Sequence, residues 1–191
     1  MSKGDFIYCE NGAYPKEFCD KHIKFFEDNM AIASPGTYTK KEDKIDNLEI
    51  KIDTRETREL QQALLKGVIN YRKRYPLIDQ SLTAWVLDPL CQLMRYEPNK
   101  YYDRIHCEND GGARNMDIVT RGFAWMIFLN TIMRGGGTEF IHQKVIAKPR
   151  VGDMYIWPAY WTHMHRGVNA PNEVKYILTG WCNYNPNFNH S

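Results

Sequence analysis

The sequence predicts an α+β fold in which N-terminal helices precede a run of short strands that closes into a β-barrel or a two-sheet roll. Three observations predict it. Two segments of the first half repeat apolar residues at helical spacing. From Tyr96 onward, aromatic and β-branched runs alternate with clusters of Gly, Asn, Asp and Pro. No repeat of about 20–50 residues divides the chain into a solenoid. At 191 residues and 22.5 kDa the chain is expected to be a single domain spanning 1–191, helical over about 1–90 and strand-rich over about 90–184.

The first helix is expected from Tyr14 to Asn29, where Phe18, Cys19, Ile23, Phe25 and Phe26 recur at roughly helical spacing after Pro15, a residue suited to a first helical turn. Ala31 to Asp53 is polar and charged and reads as a surface loop. A second helix is expected from about Thr54 to Tyr75, with Leu60, Leu64, Val68 and Tyr71 as its apolar stripe and Pro76 as its stop. Ser81 to Tyr96 fits helix or strand. Strands are then expected at about Tyr101–Cys107, Gly122–Leu129, Glu139–Ile141, Met154–Trp157, Met164–Gly167 and Val174–Asn183, separated by turns at NDGG, RGGG, KPRVGD and NAPNE.

Composition narrows the function classes. Lys plus Arg is 25 and Asp plus Glu is 23, so the net charge of +2 provides no global field for nucleic acid or an anionic membrane. No apolar stretch approaches the roughly 18 residues of a membrane span, and the N-terminus lacks the pattern of a signal peptide. Five cysteines, an odd number with no CxxC pair, argue against a disulfide framework or a cysteine zinc site. A reducing, cytoplasmic setting is the expectation. Oligomeric state is not legible in the sequence.

The chemistry concentrates in the strand-rich half. His106 and Glu108 stand two apart, and on a strand residues i and i+2 share a face, as two ligands of one metal must. His163 or His165 in THMHRG would complete a set of two histidines and one carboxylate, the facial triad that leaves positions open on a ferrous ion. An HxE pair alone is more often surface decoration. On the last strand, Lys175, Ile177, Thr179 and Trp181 share one face by the period of two. A lysine in that company is costly unless its charge is paired, or unless the strand is an edge and the lysine reaches water.

Taken together, these segments resemble the 2-oxoglutarate/Fe(II)-dependent dioxygenases, in particular the prolyl-4-hydroxylase-like branch and its small bacterial and phage members. The resemblance rests on Tyr96 ten residues before His106, His106 and Glu108, Arg121, FLN ending at Asn130, GGGTEF, KPRVGD, Trp157 with Pro158, HRG at His165 to Gly167, Lys175 and Trp181, in that order over roughly residues 90–184. It implies a double-stranded β-helix (jelly-roll) core flanked by N-terminal helices. It further implies Fe(II) held by His106, Glu108 and His165, with 2-oxoglutarate as cosubstrate, O2 as oxidant and ascorbate as an optional addition. Lys175 would anchor the far carboxylate of 2-oxoglutarate, with Tyr96, Thr138, Thr179 and Trp181 also around the cosubstrate and Arg121 at the substrate rim. The spacing of ten from His165 to Lys175 favours His165 as the third ligand; a Pro-to-His interval of five would favour His163. Two departures stand out: Glu108 replaces the commoner Asp, and Phe128 stands where many relatives carry a cosubstrate-binding Tyr.

The implied reaction couples oxidative decarboxylation of 2-oxoglutarate to hydroxylation of an unactivated C–H. Prolyl residues of a peptide or protein are the first expectation for substrate, with the loop at 34–46 and GGARNMD as covers; a free amino acid or another small molecule is the alternative. A catalytically silent metal-binding barrel and a zinc hydrolase are the competing classes, the latter without HExxH. Cys107 is expected to pack on the opposite face from its neighbours, His22 and His190 to lie on the surface, Arg134 and Arg166 to be solvated, and the GGG run to be a tight turn.

Overall fold

The computed structural model describes residues 5–36, 47–81, 84–112 and 116–184. In chain order the strands and long helices are β1 (Tyr8–Glu10), α1 (Lys16–Asp28), β2 (Ser34–Pro35), β3 (Asn47–Asp53), α2 (Arg58–Arg74), β4 (Trp85–Leu87), β5 (Leu90–Tyr96), β6 (Arg121–Phe128), β7 (Thr138–Phe140), β8 (Val145–Ala147), β9 (Met154–Pro158), β10 (His165–Gly167) and β11 (Lys175–Tyr184). Among the described residues they form two antiparallel sheets: a major one in the order β1-β9-β6-β11-β5-β3-β2 with β4 added to the end of β11, and a minor one in the order β10-β7-β8. This is the expected α+β jelly roll.

The period of two explains how one sheet serves two cores. On β6, Phe123, Trp125 and Ile127 face the helices, whereas Ala124, Met126 and Phe128 face the minor sheet. Such a strand is buried on both sides and therefore reads as a continuous apolar run rather than an alternation. The helices cover the first face with Cys19, His22 and Phe26 from α1 and Leu60, Leu64, Val68 and Tyr71 from α2. Each fully buried Leu or Val contributes roughly 1.5–3 kcal/mol. Gly67 lets α2 lie close on β9: a Cβ there would fall 2.5 Å from the Met154 sulfur. The second face, between the sheets, holds Tyr96, Met126, Phe140, Trp157 and Ile177 and opens into the cavity described below.

Several expectations change. The stretch Ala31–Asp53 is not a surface loop throughout, because β2 and β3 lie in it and β3 pairs with β5 over Asn47–Asp53. Its charges misled the reading: Lys51 and Asp53 belong to a strand whose alternate positions Leu48, Ile50 and Ile52 pack on the helix side. The ambiguous Ser81–Tyr96 segment supplies β4 and β5. Tyr101–Cys107 is not a strand but an irregular segment with isolated bridges at Tyr102 and His106. His22 is buried, with Nε2 2.9 Å from the Tyr14 hydroxyl, since it lies three residues from Cys19 and four from Phe26 on the inward stripe of α1. Much of the expected 34–46 cover, Ala113 to Asn115 of GGARNMD, and His190 lie outside the described residues.

All five cysteines are free, Cys107 giving its thiol proton to the Asn109 carbonyl at 3.2 Å while also lining the cavity. The GGG run is a tight turn, with Gly135 at φ +74° and a Cβ there only 1.9 Å from the Asn169 carbonyl oxygen. Arg166 lies on the surface beside Glu139 and Asp103. Among the described residues no helix is long and apolar enough to cross a membrane.

Candidate metal and cosubstrate site

Two distant segments meet at a single antiparallel bridge. The His106 amide donates to the His165 carbonyl at 3.0 Å and the His165 amide to the His106 carbonyl at 2.9 Å, which brings the ring centroids to 4.3 Å. Each ring is then fixed by its own chain. His106 Nδ1 lies 3.0 Å from the Arg104 carbonyl and His165 Nδ1 2.9 Å from the His163 carbonyl. A carbonyl can only accept, so Nδ1 carries a proton in each ring and Nε2 is the nitrogen left to face the third donor. Both Nε2 atoms lie 3.4 Å from Glu108 Oε1.

Glu108 is set from its other side. Its Oε2 accepts from the Trp181 indole N–H at 2.8 Å, and the Arg121 guanidinium stacks on that indole at 3.5 Å from the ring centroid. Arg121 also donates to the Glu108 carbonyl at 3.3 Å. Asn109 ties the following turn to the start of β6 by donating its side-chain amide to the carbonyls of Val119 and Arg121 at 2.9 and 3.0 Å. Burial works to raise the Glu108 carboxyl, but hydrogen bonding and charge from His106 and then His165 outweigh it and hold the group well below the usual carboxylate range. Burial, and then the charge of His106, lower the His165 imidazole. Ionised carboxylate and neutral imidazole are the protonation states that metal ligation needs.

The ligand atoms of His106, Glu108 and His165 all lie within 4.8 Å of one another. Three lone-pair donors aimed at one point repel unless a cation or a proton sits among them, so the donor set fits a divalent metal ion. Two nitrogens and one oxygen suit Fe(II), and a three-residue set leaves further coordination positions open. His163 does not join them. Its Nε2 lies 2.9 Å from the Asp5 carbonyl and its Nδ1 3.0 Å from the Thr162 hydroxyl, so both nitrogens are engaged elsewhere.

A cavity of about 420 Å³ adjoins the three donors and is lined by Tyr96, Arg121, Thr138, Lys175, Thr179 and Trp181 among others. Lys175 is 4% exposed and has no hydrogen-bond or ion-pair partner among the described residues; its ammonium sits 4.5 Å from the centroid of the Tyr96 ring. Burial pushes it down to about 8. Asn130 fixes the lysine's backbone: its side chain donates to the Val174 carbonyl at 2.8 Å and accepts from the Tyr176 amide at 2.9 Å, on either side of Lys175. Thr179 gives its hydroxyl proton to the Trp125 carbonyl at 3.0 Å. The Tyr96 and Thr138 hydroxyls meet only thioether acceptors among the described residues, those of Met94 and Met126. Phe128 is fully buried between the sheets and is not among the residues that line the cavity.

The sequence matches no protein-family model and no curated protein. Solved structures do match. A viral collagen prolyl hydroxylase from Paramecium bursaria Chlorella virus 1, determined as its 2-oxoglutarate complex, superposes with a TM-score of 0.72 at 17% identity, covering 95% of this chain and 98% of that one. A prolyl-4-hydroxylase from Pseudomonas putida gives 0.64 at 17% identity, covering 94% and 92%. A Trichoplax adhaerens prolyl hydroxylase, bound to a peptide fragment of the hypoxia-inducible factor oxygen degradation domain, gives 0.70 at 14% identity, covering 94% and 84%. The chain has the fold of these oxygenases.

Within that jelly roll His106, Glu108, His165, Lys175, Tyr96, Thr138, Thr179, Trp181 and Arg121 all line one cavity, whereas His163 and Phe128 do not. Trp181 and Arg121 both bear on Glu108, Trp181 by a hydrogen bond and Arg121 by stacking on Trp181. Sequence reasoning missed Asn130 as the clamp of Lys175, although the FLN motif contained it. It also missed Asn47, Glu49 and Gln92, which line the far end of the cavity and lie in stretches that had been read as loop or left ambiguous.

Proposed function

We propose that this chain is a single-domain Fe(II)- and 2-oxoglutarate-dependent dioxygenase that hydroxylates an unactivated C–H, with prolyl residues of a peptide or protein as the first substrate class. The observation that carries the reading is the pairing of two features in one cavity. Three lone-pair donors converge beside a buried lysine that has no anionic partner of its own. A dicarboxylate cosubstrate that bridges metal and lysine answers both needs.

In this reading His106, Glu108 and His165 hold the ferrous ion. Bound there, the ion would supply coordination positions at which the keto acid and O2 can react, O2 being the oxidant for C–H hydroxylation and the keto acid the source of two electrons. The protein's own residues do the rest. Lys175 fixes the distal carboxylate by a charge-assisted hydrogen bond, with the Tyr96 and Thr138 hydroxyls within the same cavity. Trp181 keeps one carboxylate oxygen of Glu108 occupied and turns the other toward the imidazoles. Met126, Trp157 and Ile177 line the cavity with apolar surface and keep water from the reacting centre. Arg121, which lines the cavity and stacks on Trp181, is the residue assigned to meet substrate in this reading. Ascorbate would serve only as an accessory reductant.

The test is turnover. With Fe(II), 2-oxoglutarate and O2, a proline-rich peptide should gain the mass of one oxygen with succinate formed in equal amount. Succinate without mass gain on any proline compound removes the prolyl substrate and leaves the dioxygenase; no succinate under any condition removes both.

A further inference from the structure

Lys175 is not the cavity's sole charge. Across the major sheet, Asn47, Tyr96 and Lys175 form one cross-strand row, and Glu49, Met94 and Ile177 form the next. The inner face of β3 thus brings Asn47 and Glu49 to the end of the cavity, where Gln92 and Gly36 join them. Glu49 is 8% exposed and has no ion pair among the described residues; its near polar neighbours are two neutral amides, that of Gln92 in a long hydrogen bond at 3.4 Å and that of Asn47 on the same strand face. Lys51, exposed and next on the same face of the strand, is the nearest cation whose charge favours the ionised carboxylate, from the solvent side and without an ion pair among the described residues. Asn47 is 5% exposed, and among the described residues no well-formed hydrogen bond reaches its amide oxygen or nitrogen. A side chain at Gly36 would abolish this corner, since a Cβ there would fall 2.1 Å from Asn47 Oδ1.

A buried carboxylate whose near partners are neutral amides, with no cation beside it, is costly in a closed core. It becomes reasonable where a ligand supplies the missing charge and donors. We propose that Glu49, with Asn47 and Gln92, forms a subsite for a cationic group of the substrate, an ammonium or a guanidinium. This rests on the reading above, in which Lys175 takes the anionic end of the cosubstrate; Glu49 then selects a substrate of opposite charge at the other end. The cation can belong to a basic side chain of a peptide or to the amino group of a free amino acid.

Matched probes separate the sources, titrated calorimetrically into the anaerobic protein with and without Fe(II) and 2-oxoglutarate. One pair is Nα-acetyl-arginine amide against Nα-acetyl-citrulline amide; the other is L-prolinamide against N-acetyl-L-prolinamide. The cationic member of at least one pair should bind at least tenfold more tightly than its neutral partner. Glu49→Gln should erase that difference while leaving the neutral partner's affinity unchanged and the melting temperature of the ligand-free protein no lower. Gln92→Glu, which adds a second carboxylate at the subsite, should tighten the cationic probe by threefold or more. Equal binding within both pairs, binding of neither member, a preference that survives Glu49→Gln, or no gain in Gln92→Glu overturns the proposal. The oxygenase reading is judged separately: if Fe(II) with 2-oxoglutarate gives no charge-transfer absorption in the unmutated protein, that reading falls, and the titration without iron still decides the subsite.

Discussion

His106 and His165 exchange both of their backbone hydrogen bonds, at 3.0 and 2.9 Å, so the two segments that carry the imidazoles are one bridge rather than two neighbours. The pairing fixes which histidine of THMHRG enters the cavity, because the residue directly opposite His106 is His165. His163 falls two residues earlier, in a 3-10 turn at Trp161–His163, and its ring is held by Asp5 and Thr162.

The two histidines should therefore separate cleanly on substitution. His165→Ala should abolish tight Fe(II) binding with little loss of fold. His163→Ala should retain one bound metal and lower stability by about 1–3 kcal/mol, the cost of leaving the Asp5 carbonyl and a buried space unfilled. Metal content by elemental analysis and melting by circular dichroism check both halves.

Trp181→Phe keeps the aromatic surface under Arg121 and removes the indole N–H from Glu108. Loss of such a supporting hydrogen bond weakens metal affinity by about 10–100-fold. The expected outcome is a Kd for Fe(II) raised within that range, measured anaerobically, with the melting temperature of the metal-free protein unchanged.

Lys175 gives a prediction in which stability and binding move in opposite directions. A charged lysine in a buried site with only an aromatic face for company destabilises the protein on its own, on the order of 3 kcal/mol for a group brought from 10.5 to about 8. Lys175→Met should raise the melting temperature of the ligand-free protein, by roughly 2–4 °C for each kcal/mol relieved. The same change should abolish 2-oxoglutarate binding, read by calorimetry.

The same group sets a pH dependence. Between about 8 and 10.5 the unfolded chain holds the Lys175 proton and the folded chain does not, so stability from this residue rises with pH across that window and its penalty is complete below about 8. Binding of a dicarboxylate needs the ammonium. The affinity for 2-oxoglutarate should be flat below pH 8 and fall by about tenfold per pH unit above it, with proton uptake on binding in that range. Calorimetry in buffers of differing ionisation heat measures both; an affinity unchanged up to pH 10 would contradict the role given to Lys175.

The fold and the site were legible to different depths. β11 was readable in full, because Lys175, Ile177, Thr179 and Trp181 alternate with Tyr176, Leu178 and Cys182 along a central strand and both faces have a consequence. β3 was not, because its cavity side is polar. Asn47 and Glu49 look like loop residues until the cavity they face is known, and Lys51 and Asp53 reinforce the impression. The HxE spacing pointed to a pair that does converge, though for a partly wrong reason. His106 and Glu108 converge from an irregular segment held by the bridge to His165 and by the Trp181 indole, not from a regular strand. Contacts of that kind join residues far apart in the chain, and local patterning carries no trace of them. His22 shows the reverse failure: its place on the buried stripe of α1 was written in the spacing to Cys19 and Phe26, and its polarity masked it.

The central claim is that His106, Glu108 and His165 hold one ferrous ion beside a lysine that anchors 2-oxoglutarate. Anaerobic titration of the protein with Fe(II) and 2-oxoglutarate tests it most directly. The account predicts a visible charge-transfer absorption that saturates at one iron per chain, disappears in His165→Ala and persists in His163→Ala. Absence of that absorption in the unmutated protein, or its persistence in His165→Ala, would contradict it.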